Sequence, residues 1–201
     1  MHEYGAVGHG AVLRATKEQG DQRMTVPDDY KGLDGRGWIC DSCGEPIWQA
    51  IDGWVQWMSG RDDGKRTARD LQLVHHLPAS PRVPDPKPSS ALELRAYAPG
   101  CQFDEQVEFA KDKMIVSDLP LTYFLGADGL MELLMMLHEN FLPQEVVIEM
   151  TKRLHIPGYE HARFHFEKAV AQGVFESNRP EGFYRVGEIA NVNEWADENN
   201  E

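Results

Sequence analysis

Cys40 and Cys43, in the run Trp38-Ile39-Cys40-Asp41-Ser42-Cys43-Gly44, constrain the fold of this chain more than any other feature. A Cys-x-x-Cys pair followed by glycine is the usual half of a tetrahedral zinc centre, because the glycine lets the backbone turn beneath the metal while two thiolates point to one spot. Only one further thiol exists, Cys101, and a pair of imidazoles, His75-His76, lies between. A Cys3His set therefore closes with every cysteine used. The expected ligands are Cys40, Cys43, His76 and Cys101, with His75 as the alternative to His76. On a continuing strand the two rings face opposite ways, so one of them reaches the ion.

Such a closed shell argues for structural Zn2+ and against catalysis, which needs an open coordination position. A thioredoxin-like redox pair is the rival reading of Cys40 and Cys43, but that motif belongs between a strand and a long helix, and neither is evident here. No apolar run approaches the roughly 18 residues of a membrane helix, and the start of the chain lacks a secretory plan, so a cytoplasmic location without membrane contact is expected. Nothing in the sequence marks a small-molecule cofactor. The net charge of −13 repels phosphate backbones at long range.

The organisation reads as α+β: a small β-rich zinc-binding module followed by a three-helix, winged-helix-like domain. Residues 1–36 lack an apolar period and are expected to be a disordered leader, with Met24 an alternative start. Residues 37–117 show short β-forming runs, Trp54–Met58 after the Asp52-Gly53 turn and Leu71–Val74 ahead of the histidines. Within them, residues 78–90 form a proline-rich loop that holds Pro78, Pro81, Pro84, Pro86 and Pro88. Trp38, Trp48, Trp54 and Trp57 surround the knuckle and suggest an aromatic core beside the metal.

Over 118–192 the pattern turns helical. Asp128 is placed to cap a helix over 129–139, Pro143 to open a second ending near Leu154, and Tyr159 to Gln172 to form a third, stopped by Gly173. A β-hairpin is expected from Val174 to Val186, and an acidic, fraying tail over 193–201. Met131, Met135 and Met136 read as core filler. Phe164 lies off the face shared by Ala162, Phe166 and Val170 and is expected to pack on the metal-binding half.

The 37–117 segment resembles zinc ribbons and zinc knuckles. The run from Gln144 to Arg163, with Thr151-Lys152-Arg153-Leu154 before a turn, resembles a winged helix-turn-helix over about 75 residues. That resemblance implies a DNA-linked transcriptional regulator, with His161, Arg163, His165 and Lys168 near bases or phosphates and Arg179 and Arg185 on the wing. Charge points elsewhere: residues 118–201 hold fifteen acidic and six basic side chains, a balance of −9. A protein-interaction adaptor is thus the alternative, and the partner is DNA or protein, with a homodimer also open. The strand Leu73-Val74-His75-His76-Leu77 resembles that of HNH nucleases, but no asparagine occurs from 77 to 139 and the next histidine is His138. The cytidine-deaminase order, with His-x-Glu before Cys-x-x-Cys, is not met. As a whole the chain resembles an uncharacterised bacterial or phage protein family.

Overall fold

Asp63 and Gly64 both sit at positive φ, 47° and 78°, which is what a two-residue turn between twisted strands requires. They join β3 (Gly53–Asp62) to β4 (Lys65–His75) in an antiparallel hairpin that pairs Asp62 with Lys65 and Gly53 with His75. The two runs expected as strands lie in the two arms of this one hairpin, and each arm is longer than its β-branched and aromatic stretch. The register shifts between Gln56 and Met58, where Asp70 at φ 58° supplies the extra residue of a bulge. β5 (Ile115–Pro120) pairs antiparallel with the other edge of β3, giving the order β4-β3-β5. A second, minimal sheet pairs β1 (Trp38–Ile39) with β2 (Pro46–Ile47).

This computed structural model describes residues 30–83, 90, 100–175 and 184–199. Most of the expected leader, residues 1–29, and much of the proline-rich loop lie outside them. Residues 30–36 are tied down: the Ala50 N–H donates to the Tyr30 carbonyl at 2.9 Å, and Tyr30 packs tilted on Trp38, ring centroids 6.1 Å apart. Gly37 is required beside them. It has φ 75°, and a Cβ there would stand 2.3 Å from the Ile47 carbonyl oxygen.

Six helices of α type occur among the described residues. α1 (Glu105–Asp112) was not expected, although Asp104 announces it: its carboxylate accepts from the N–H groups of Gln106 and Val107 at 3.0 and 3.1 Å. α2 (Gly126–Glu139) starts earlier than expected, and Asp128 lies in its first turn instead of capping it. Gly129 cannot carry a side chain there, since a Cβ would meet the Phe124 backbone at 2.0 Å. α3 (Gln144–His155) follows Pro143 as expected. The long third helix is instead two short ones, α4 (Tyr159–Ala162) and α5 (Phe166–Ala171). Between them the N–H groups of Phe164 and His165 donate to His161 and Ala162, a tighter i to i−3 winding that interrupts the α-helix.

The C-terminal part also departs from expectation. α6 (Val186–Asn199) occupies both the last residue of the expected hairpin and most of the expected tail. Glu188 accepts from the Arg185 N–H at 2.7 Å, the reciprocal half of a capping box, and Ile189, Val192 and Ala196 are buried on one face. Residues 176–183 of the hairpin lie outside the described set.

The chain is thus α+β, a mixture of helices with small antiparallel sheets. Its main core joins Trp38, Ile47, Val55, Leu73 and Cys101 to Leu121, Phe124, Leu133, Val147 and Leu154, so both sides of the expected 117/118 boundary share it, and β5 runs across that boundary. A smaller cluster gathers Tyr159, Ala162, Phe166, Ala169, Ile189 and Val192. No helix among the described residues is long and apolar enough to cross a membrane.

Candidate metal centre

The knuckle is a backbone device before it is a metal site. The Gly44 N–H donates to the Cys40 carbonyl at 2.9 Å, the Cys40 N–H to the Glu45 carbonyl at 3.0 Å, and Gly44 takes φ 78°, so the turn brings Cys43 back beside Cys40. Asp41 then docks the turn on β4: its N–H donates to the Leu73 carbonyl at 2.8 Å, and its carboxylate accepts from the Leu73 N–H at 2.7 Å. Two residues along β4 from Leu73, on the same face, stands His75.

Cys101 reaches the same point from a distant loop. Arg82 donates to the Gly100 carbonyl at 2.5 Å and to the Ser42 carbonyl at 3.4 Å, holding that loop against the knuckle. Ser80 Oγ lies 3.3 Å from Cys101 Sγ.

Cys40, Cys43, His75 and Cys101 present four donor atoms that all lie within 4.8 Å of one another, and they could hold a metal ion. His75 Nδ1 is 3.5 Å from Cys43 Sγ and 3.8 Å from Cys101 Sγ. Bonds of about 2.3 Å to sulfur and 2.0 Å to nitrogen set tetrahedral edges of about 3.5–3.8 Å, so these spacings suit one shared cation. The other ring nitrogen, Nε2, sits 3.1 Å from the Pro46 carbonyl oxygen. Nε2–H donates there, which fixes the tautomer and turns the Nδ1 lone pair toward the sulfurs.

The protonation pattern also fits a cation. Burial alone would push the Cys40 thiol up, but His75 beside it and the backbone around Ser42, Cys43 and His75 bring it down to about 6. Cys43 moves the other way, to about 12, pushed by burial and then by the neighbouring sulfurs of Cys40 and Cys101 against a lowering backbone contact at Glu45. Without a cation, two thiolates crowd each other and Cys43 keeps its proton. A divalent ion at the centre of the four would favour the thiolates and release that proton.

His76, the expected ligand, is not in this group. It follows the last residue of β4, and its ring stacks on Trp54 with centroids 5.0 Å apart and 24° between planes. The alternative, His75, takes the place because β4 presents the Leu73 and His75 side of the strand to the knuckle. Burial holds the His76 imidazole below its usual range. Of the four tryptophans expected near the knuckle, Trp38 and Trp57 are buried, Trp54 is half-buried under His76, and Trp48 is exposed.

The residues expected at a nucleic-acid or partner surface are scattered in character. Arg163 is half-buried and pairs with Glu160 at 3.1 Å and Asp41 at 3.7 Å, within the brace of the knuckle itself. His161 is half-buried, with a buried Nε2 that has no hydrogen-bond partner. His165 is half-buried, Lys168 and Arg185 are exposed, and Arg179 lies outside the described residues. Phe164 is exposed and not packed on the metal-binding half; the Arg163 guanidinium covers its ring at 4.1 Å.

The brace has no local signature among the residues that form it. Arg153, itself buried, donates to Glu160 at 2.7 and 2.9 Å, to the Asp41 carboxylate at 2.8 Å and to the Ile39 carbonyl at 3.0 Å, while the Ile39 N–H donates to Glu160 at 3.0 Å. A buried guanidinium needs this many acceptors, and here they come from residues 39 and 41, more than a hundred positions away, and from nearby Glu160. No protein-family model, curated protein or solved structure matches this chain.

Proposed function

We propose that the chain is a non-enzymatic zinc-binding regulatory protein that acts through a protein partner, its Cys3His centre being a structural cross-link. One observation carries this reading: the donors of Cys40, Cys43, His75 and Cys101 lie within 4.8 Å of one another, and four protein donors around one zinc ion would leave no position for substrate or water. Three thiolates and an imidazole select zinc over hard cations.

Charge favours a protein over DNA. Beside α6 an open cleft of about 610 Å³ is lined by Asp34, Glu194, Asp197 and Glu198 together with Val186 and Ala190, and by Arg36, which pairs with Asp197, so its carboxylates outnumber its one cation. Such a surface suits a basic, partly apolar protein segment and repels a phosphate backbone. The DNA-linked, winged-helix reading rests on His161, Arg163, His165, Lys168, Arg179 and Arg185, of which Arg163 is already engaged with carboxylates.

Metal analysis of the purified protein should return one zinc per chain, retained in His76→Ala and lost in His75→Ala; retention in His75→Ala would break the assignment. Gel shifts over a salt series then separate the partner classes, since phosphate contacts impose a steep salt slope. Tight, salt-sensitive DNA binding would overturn the protein-partner reading. Plasmid hydrolysis with added Mg2+ or Mn2+, abolished by His76→Ala, would be needed to support an HNH-like nuclease.

A further inference from the structure

α2 is apolar on two sides, and only one of them is used. Gly129, Leu133 and Met136 are buried against the core. On the far side Met131, Leu134 and Met135 are 57%, 45% and 48% exposed, which corrects the expectation that Met131 and Met135 fill the core. At 100° per residue these three fall, together with the exposed Asp128 and His138, on a single arc of about 120° opposite the buried face. The spacing 128, 131, 135, 138 is a three-four-three step, the seam by which one helix packs along another.

The ends of that seam say what occupies it. Asp128 stands at one end and His138 at the other, and neither makes an ion pair or hydrogen bond among the described residues. A second α2 laid antiparallel across a two-fold axis that crosses the outer face level with residue 133 sets Met131 against Met135 of the second copy. The same operation sets Asp128 against His138 of the second copy, at both ends. The order of groups along the face is therefore complementary to itself, apolar centre on apolar centre and carboxylate on imidazole, the condition for an isologous contact. A parallel arrangement would oppose like groups instead.

We infer that the outer face of α2 is a homodimer interface, with Met131, Leu134 and Met135 as its apolar centre and Asp128 and His138 as its paired ends. One short helix face buries less than the roughly 800 Å² per partner of a standard interface, so the dimer is weak, with a dissociation constant on the order of tens of micromolar. Thioether side chains adapt to each other at such a contact.

Sedimentation equilibrium on the full-length, metal-loaded protein from about 1 to about 500 µM reads the equilibrium directly. Met135→Lys should weaken it by at least about tenfold. Asp128→Arg and His138→Glu should each weaken it by about threefold or more, and the double variant D128R/H138E should recover the wild-type constant. All these side chains are exposed, and circular dichroism with zinc stoichiometry checks that each variant folds; Met131→Lys serves as the second apolar variant. A wild-type protein that stays monomeric throughout overturns the inference. So does undiminished dimerisation of both lysine variants, or a double variant no better than the singles, which removes the antiparallel pairing.

Discussion

The region around the knuckle and the region after residue 159 hold themselves together by different means. β1 and β2 contribute two residues each to their sheet, too few for a self-sufficient hydrophobic face, and the loops that bring in Cys101 add little. What fixes them is a set of specific cross-links: four potential metal donors, the Asp41–Leu73 docking and the Arg82 bridge. The C-terminal region has directed bonds too, such as the Asn193 donation to the Gly158 carbonyl at 2.9 Å and the Arg36–Asp197 pair, but its centre is aromatic. Phe166 stacks on Tyr184 with centroids 3.7 Å apart, flanked by Tyr159 and Phe175, and these rings pack with Ile189 and Val192 in one cluster. Short extended pieces need directed bonds, whereas short helices can be held by a few large rings.

Removing one metal ligand tests that contrast most severely. Cys101→Ser should abolish stoichiometric zinc and cost on the order of 5 kcal/mol, with hydrogen exchange accelerating first over residues 38–47 and 73–75 while α6 stays protected. Equal loss of protection in α6 would erase the distinction. Arg153→Ala comes next, at about 4 kcal/mol, because buried Glu160 would keep its charge with only the half-buried Arg163 left to pair it. Its exchange pattern should loosen both regions together, which separates it from the ligand variant.

Phe166→Ala inverts the first experiment. It should lower stability by about 3 kcal/mol in a denaturant titration while zinc content and the exchange of residues 38–47 hold. The smallest effect is one of pH. Burial keeps His155 below the usual 6.5 even though its ring nitrogen lies 2.9 Å from the Phe124 carbonyl, so the unfolded chain takes up a proton that the folded one refuses. Stability contributed by the neutral ring is complete above 6.5 and is lost as the pH falls from there toward the lower folded value. His76 adds in the same direction. In His155→Gln the melting temperature should fall less steeply below pH 6.5 than in the wild type.

Much of the metal site was legible because its chemistry is local: Cys40, Cys43 and Gly44 form one turn, and Cys101 completes a count. The choice between His75 and His76 was not, since strand alternation says only that they differ; the Asp41–Leu73 contact decides which side of β4 meets the knuckle. α2 and α3 were visible through helical spacing and Pro143. α6 was missed because its Gly, Asn and acidic residues mask the 189, 192, 196 spacing, although Glu188 three residues after Arg185 was a readable cap. The break at residues 163–165 had no local signal, as it accompanies Arg163 turning toward Glu160 and Asp41.

The buried guanidinium of Arg153 bears on how the polypeptide is born. Ile39 and Asp41 leave the ribosome more than a hundred residues before Arg153 and Glu160, so the knuckle turn waits, its polar groups met by water, until the late carboxylate and guanidinium emerge. A nascent chain halted before Arg153 would therefore expose the turn of Cys40 and Cys43 without its brace.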